Sequence, residues 1–221
     1  VGNVVLFSQA RGGVVRDFSY DFASDGFTGA DLTVLARHLF VGKSIKAWAY
    51  AQAPDSIVWV VLDDGSLVSL TYMREHEVWA WTRHETDGTF EDVTVIPEGD
   101  EDVPYFVVNR TINSQTKRYI EKLHTREFAD ATECFFVDSG LTYDGDAATS
   151  IRGLYHLEGK TVSALADSNV VSGLTVTDGT ITLPNEASVV HAGLPYEALM
   201  KTLDIDIGVV KGLGTVQGRY K

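Results

Sequence analysis

The stretch AWAYAQAPDSIVWVVLDDGSLVSLTYMREHEVWAWTRHE, residues 47–85, sets the fold class. Its apolar residues recur with a period of two, the repeat of a strand that presents alternate side chains to opposite faces. Four strand-sized runs stand out: AWAYAQ, IVWVVLDD, GSLVSLTYM and EVWAWTRHE. They are separated by Pro54-Asp55, Asp63-Asp64-Gly65 and Arg74-Glu75, residue types that reverse a chain. In the fourth run Val78, Ala80 and Thr82 fall on one face and Trp79 and Trp81 on the other. Trp48 and Tyr50 alternate in the same way in the first.

Downstream the pattern continues through TFEDVTVIP, VPYFVVNRT and QTKRYIEKLH, with turns at Thr86-Asp87-Gly88, Glu98-Gly99-Asp100 and Ile112-Asn113-Ser114. Antiparallel strands about ten residues apart make up-and-down sheets or propeller blades. Two successive blades, over residues 47–84 and 89–123, is the sharper reading, and one meandering sheet is the alternative. A closed propeller takes about four or more blades, so the blade reading carries the expectation that this chain is part of a longer protein. Upstream, Val4–Gln9 and Val14–Phe22 read as a hairpin across Arg11-Gly12-Gly13, where adjacent glycines accept the positive φ of a tight turn. Between hairpin and meander, GADLTVLARHLFVG is the one convincing helix, expected at about residues 29–41. Leu32, Leu35, Ala36, Leu39 and Phe40 recur at helical spacing, Thr28 or Asp31 caps the start, and Gly42 stands at the C-cap;.

A polar, charged break falls at Thr125–Thr132. Beyond it short runs at Gly159–Asp167, Asn169–Thr175 and Thr180–Leu183 precede a further strand at Val189–Pro195, with a hairpin signal at Thr177-Asp178-Gly179;. The expected organisation is therefore mostly β: an antiparallel propeller-blade-like meander with one short helix over 1–130, then a small β-barrel or sandwich over 135–198. Residues 199–221 form a strand-like return segment whose end shows no terminating feature, again as expected of a truncated chain.

Composition narrows the function classes. The 221 residues carry 18 Lys+Arg against 31 Asp+Glu, a net charge of −13, which disfavours non-specific binding to nucleic acid or anionic membranes. No run approaches the roughly 18 apolar residues of a membrane-spanning helix, and the opening VGNVVLFSQARGG lacks a signal-peptide layout;. A single cysteine, Cys134, leaves no internal disulfide and no cysteine-rich metal site;.

Candidates for chemistry are sparse. Cys134, read as part of an apolar strand, has no neighbouring base to activate it and reads as a small hydrophobe. His38, His76, His84, His124, His156 and His191 form no H-x-x-x-H pair;. The acidic turn Glu98–Asp102 and the trio Asp138, Asp144 and Asp146 lack the alternating ligand spacing of a calcium loop and read as solvated turns;. Nothing singles out a carboxylate pair for glycoside hydrolysis. Asn109-Arg110-Thr111 matches a glycosylation acceptor by chance. Trp48, Tyr50, Trp59, Tyr72, Trp79 and Trp81 read as core between sheets, with a stacking platform for sugars or bases as the alternative;.

Three phrases carry a resemblance: D-L-T-x-L-A-x-H-L-F at Asp31–Phe40, W-A-Y-x-Q-x-P-x-S at Trp48–Ser56 and L-P-x-x-A-S-V-V-H-x-G-L-P-Y at Leu183–Tyr196. Over about residues 15–205 the chain resembles a family of bacteriophage structural proteins, tail or virion proteins of short-tailed phages of the nozzle or tail-tube type. Residues 141–196 also resemble, in architecture, the small β-barrel of the first catalytic-cysteine half-domain of ubiquitin-activating enzymes; no ubiquitin chemistry follows. The resemblance implies a virion location after synthesis in the host cytoplasm, no catalytic residue, no metal and no cofactor. The implied partners are other tail proteins and identical copies in a homo-oligomeric ring, with no membrane and at most DNA passing through an acidic lumen. The rival expectation is a carbohydrate-binding or carbohydrate-cleaving β module used in host attachment.

Overall fold

Residues 45–84 form the centre of the molecule because both faces of their sheet are apolar. In the computed structural model, which describes residues 1, 4–9, 13–23 and 25–200 and the backbone of 205–207 and 216–218, strands β4 (Ile45–Ala51), β5 (Ile57–Leu62), β6 (Leu67–Met73) and β7 (Val78–His84) pair as an antiparallel meander in chain order. Every residue of β5 is buried, as a continuous apolar run requires when both sides of a strand are covered.

The first sheet covers one side. It pairs β1 (Val5–Ser8), β2 (Val15–Asp21) and β3 (Gly26–Thr28). Val15 of β2, with Leu32 and Phe40 from the following segment, packs on Val58, Val60, Leu62, Val68, Leu70 and Tyr72. The third sheet covers the other side. Its strands β8 (Thr89–Glu98), β9 (Glu101–Ile112) and β10 (Gln115–Lys122) form a second meander. Phe90, Val93, Phe106 and Val108 meet Ala51, Ile57, Trp59, Val61 and Leu67. The two meanders are thus separate sheets stacked face to face rather than one continuous sheet, and three sheets lie in series.

The expected helix at about 29–41 shrinks to α1 (Arg37–Phe40). The cause is pairing with β2: Leu32 N donates to Val15 O at 3.0 Å and Asp17 N to Ala30 O at 3.2 Å, so residues 30–32 are held extended. Turn geometry follows, with Ala36 N bonded to Thr33 O. The Asp31 carboxylate accepts from Thr33 N at 2.8 Å and Thr33 Oγ1 at 2.6 Å. Leu32, Ala36 and Phe40 are buried as their spacing predicted, but Leu35 is 88% exposed. Gly42, φ +73°, ends the turn;. Arg11 and Gly12 of the first hairpin lie outside the described residues.

The fourth sheet pairs β11 (Asp138–Arg152), β14 (Thr180–Leu194), β12 (Thr161–Ala166) and β13 (Asn169–Thr175) in that order around one core, with Leu154, Leu157, Val162, Val176, Ile181 and Val190 buried. Two strands are longer than the sequence suggested. β14 joins the runs at 180–183 and 189–195 into one, and β11 occupies residues assigned no strand. The register breaks between the Ala148–Ala187 and Ser150–Thr182 pairs, and Pro184 sits in that irregularity, where a missing N–H costs little. Cys134 is not in a strand. It follows a single 3₁₀ turn, Ala131–Glu133, half-buried. In the return segment, β15 (Ile205–Ile207) pairs with β16 (Val216–Gly218); its other residues beyond 200 lie outside the described residues.

Candidate interaction surface

The first sheet has one face buried on the second sheet and one face open. Along β2 the alternation is strict: Val15 and Asp17 are buried, while Phe18 and Tyr20 are 41% and 43% exposed. Register adds Val5 opposite Phe18 and Phe27 opposite Tyr20, and Phe7 pairs with Arg16 on the same side. Phe22 follows the strand at 90% exposure, Phe27 is 65% and Phe7 36% exposed. The rings touch one another. Phe18 stacks on Phe27 at 4.7 Å, Tyr20 meets Phe22 at 4.9 Å and Phe27 at 5.4 Å edge-on, and Phe7 meets Phe18 at 6.2 Å. Five aromatics therefore form one apolar surface on an acidic protein.

The buried side of this sheet is firmly anchored. Asp17 accepts Ala30 N at 2.5 Å and the Tyr72 hydroxyl at 3.0 Å. Burial, with the Asp17 carboxylate beside it, pushes the Tyr72 phenol up to about 12. Arg74 donates to Ser19 Oγ at 2.9 Å, and Trp81 Nε1 to Leu32 O at 2.8 Å. The polar rim is spent locally: the Tyr20 hydroxyl donates to Asp25, which raises the pKa of that phenol.

A second cluster ties the third sheet to the fourth. Arg110, 3% exposed, donates from Nε to Glu121 Oε1 at 2.6 Å and from Nη2 to Glu121 Oε2 at 2.7 Å. Its Nη1 donates to Asp87 O at 2.9 Å, and Nη2 lies 3.5 Å from Asp138 Oδ1. Thr86 Oγ1 donates to Asp138 Oδ2 at 2.7 Å, and Lys160 pairs with Asp87 at 2.7 Å. Glu121, Asp138 and Asp87 keep the Arg110 guanidinium charged against its burial. Each group has its partner, so the cluster braces two sheets.

The residues singled out from the sequence fall apart in space. Trp59 and Tyr72 are buried and Tyr50 and Trp81 half-buried, as core aromatics; Trp48 and Trp79 remain 37% and 41% exposed on the two opposite edge strands, β4 and β7. Glu98 accepts from Tyr105 and from Lys122, which together hold its carboxyl below the usual range. Asp102 Oδ2 accepts Gln52 N at 2.7 Å and Ala53 N at 3.1 Å, and Glu101 takes the Thr125 hydroxyl. The acidic turn therefore staples the second sheet to the third. Asp138, Asp144 and Asp146 are strung along β11, and among the described residues no three His, Cys, Asp or Glu side chains converge as metal ligands.

The histidines serve packing. His84 Nε2 lies 2.8 Å from Ser69 Oγ, and burial together with Arg126 pulls its pKa down to about 4. His191 Nε2 donates to Thr132 O at 2.7 Å, His156 Nε2 to Ser139 O at 2.7 Å, and His124 stacks on Phe135 at 4.6 Å; His38 and His76 are exposed. Asn109 donates to Glu91. A depression of about 540 Å³ beside Tyr155 is lined by two acidic residues, Glu158 and Asp178, and the Glu158 carboxylate already accepts Asp178 N and Gly179 N.

The aromatic face was missed because the reading centred on tryptophans of the meander. The signal was present in Phe18-Tyr20-Phe22, three rings at period two beside the Val5–Phe7 strand. Compared with known proteins, the chain matches no family model and no curated protein sequence.

Proposed function

We propose that this protein is a structural component of a bacteriophage virion, a tail part of nozzle, tube or adaptor type, that works by assembly and performs no catalysis. The observation that carries the assembly reading is the open aromatic face. Monomeric soluble proteins keep such patches to a few hundred Å², and a larger contiguous one marks an interaction site. The body behind it suits a building block: three stacked sheets braced by Tyr72–Asp17, with a fourth held by Arg110. Identical neighbours and other tail proteins are the partners in this reading, and the resemblance at Asp31–Phe40, Trp48–Ser56 and Leu183–Tyr196 supplies the phage setting.

The chemistry of the face favours protein over sugar. Four of its five rings are phenylalanines, and the one hydroxyl, on Tyr20, is taken by Asp25. Sugar platforms need polar groups beside the ring to catch hydroxyls. The test is electron microscopy of purified virions labelled with an antibody fragment raised against this chain. Label at a fixed position on the tail is the expected result. Virions that carry no label and contain no such chain by mass spectrometry would refute the reading, as would glycan-array binding that the substitution Phe18→Ala abolishes.

A further inference from the structure

The depression beside Tyr155 lies where the third sheet meets the fourth. Asn113, Gln115 and Lys117 of the β9–β10 hairpin form one wall, and Tyr155, Glu158 and Asp178 form the other. Its volume of about 540 Å³ falls within the roughly 300–1,000 Å³ of small-molecule sites, which favour the junction of packed units. The Arg110–Asp138 and Lys160–Asp87 contacts keep the two sheets together.

Tyr155 is held as a platform. It opens the 3₁₀ turn Tyr155–Leu157, and the flanking Leu154 and Leu157 are buried in the core of the fourth sheet. A Cβ added at Gly179 would stand 2.5 Å from Tyr155 Cδ1, 2.6 Å from Cε1 and 2.7 Å from Cγ. Near-equal distances to three consecutive ring atoms put Gly179 over the face of the ring, where a side chain would leave no room. One face of the ring therefore rests on bare backbone, yet the residue is 68% exposed, so its other face is free. The turn underneath is pinned as well: the Glu158 carboxylate accepts Asp178 N at 3.0 Å and Gly179 N at 2.7 Å.

The polar groups around this ring are unspent. The side chains of Asn113, Gln115, Lys117 and Asp178 make no hydrogen bond or ion pair among the described residues, whereas Arg118, Glu121 and Lys122 of the same β10 strand are all paired. They offer amide donors and acceptors, an ammonium donor and a carboxylate acceptor.

We propose that this cleft binds a neutral saccharide. The C–H face of a sugar ring lies on the free face of Tyr155, where apolar surface is buried. Its hydroxyls, each both donor and acceptor, meet Asn113, Gln115, Lys117 and Asp178. This is the polar surround that the aromatic face of the first sheet lacks. Two carboxylates against one ammonium leave the cleft negative on a chain of net charge −13, which repels the phosphates of a nucleotide and the carboxylate of an acidic sugar. The inference uses a different surface from the assembly reading and goes beyond it.

The test is saturation-transfer NMR on the 221-residue chain. Free glucose, galactose, mannose, N-acetylglucosamine and glucuronate serve as probes at about 1–10 mM, to detect a single-sugar Kd of about 1 mM. At least one neutral sugar is expected to receive saturation. Tyr155→Ala is expected to abolish that signal through a loss of about tenfold or more in affinity. Gln115→Ala and Lys117→Ala, at exposed positions, should each weaken it about 2- to 10-fold, the worth of one hydrogen bond. Phe136→Ala, which removes a 60% exposed ring outside the cleft, should leave it unchanged, and circular dichroism checks the fold of every variant. Saturation of no neutral sugar, saturation of glucuronate alone, a signal that survives Tyr155→Ala, or one lost equally in Phe136→Ala overturns the proposal. None of these outcomes moves the label on the virion, so the assembly reading stands or falls on its own test.

Discussion

Glu121→Gln is the substitution whose cost the structure fixes best. Arg110 is 3% exposed, and its charge is met bidentately by Glu121 at 2.6 and 2.7 Å, with Asp138 farther off at 3.5 Å. Glutamine keeps an acceptor for Nε but turns an amide N–H₂ toward Nη2, so one charge-assisted bond is lost, about 1.5–3 kcal/mol. Among the described residues Asp138, at 3.5 Å, is then the one carboxylate in direct contact with the buried guanidinium, beside the Asp87 carbonyl at 2.9 Å. Breaking a fully buried pair costs about 3–5 kcal/mol; the Glu121 side chain is 23% exposed, which places the expected loss near the bottom of that range, about 3 kcal/mol. Urea unfolding followed by tryptophan fluorescence, with a slope of about 2 kcal/mol/M, should show a midpoint lower by about 1.5 M. The double variant Arg110→Met with Glu121→Leu removes both charges and should cost less than the sum of its parts, by about 2 kcal/mol or more. A Glu121→Gln midpoint within about 0.5 M of wild type, less than about 1 kcal/mol, or a strictly additive cycle, refutes the claim that this pair within the third sheet holds the buried Arg110 in place, from where it reaches Asp138 of the fourth.

Three further expectations concern the stack. Tyr72→Phe removes the hydroxyl that Asp17 accepts and should cost about 1–2 kcal/mol. Because the folded phenol sits near 12 rather than 10, its contribution is complete below pH 10 and lost as pH rises through 12; an alkaline titration of stability that keeps this loss in Tyr72→Phe would contradict it. His84 is held neutral by burial, near 4 against an ordinary 6.5. Stability should therefore decline as pH falls from 6.5 to 4, by up to about 3 kcal/mol, and His84→Gln should flatten that decline in thermal melts across the same pH series. Gly65→Ala should cost about 1–3 kcal/mol by denaturant unfolding, since φ there is +82° and a Cβ would stand 2.8 Å from the Thr89 Cβ;.

Much of the strand plan was legible because its signals are local. The runs over residues 47–84 and 89–123 and their turns emerge as β4–β10 with bounds shifted by a few residues, since period-two patterning and residues such as Asp64-Gly65 or Asn113-Ser114 act within a single hairpin;. The helix failed for a non-local reason. Leu32 to Phe40 has helical spacing, but Asp31 pairs with Arg16 as an antiparallel bridge, flanked by the Asp17 N to Ala30 O and Leu32 N to Val15 O bonds, which holds the chain extended where the helix was expected to begin. β11 was invisible because only one of its residues, Ile151, is buried, and it is specified by pairing with β14 rather than by its own pattern.

The candidate surface divides in the same way. Alternation alone determined that Phe18, Tyr20 and Phe22 share a side of their strand, because Cβ direction in an extended chain depends only on position. Whether that side is covered was decided by tertiary structure. The second sheet lies against Val15 and Asp17, and the rings face solvent. Sequence likewise supplied an arginine at 110 and carboxylates at 121 and 138, but only the fold brought them within reach. Charge pairing acts over a few ångströms, and the chain closes that distance by sheet packing that no local pattern encodes.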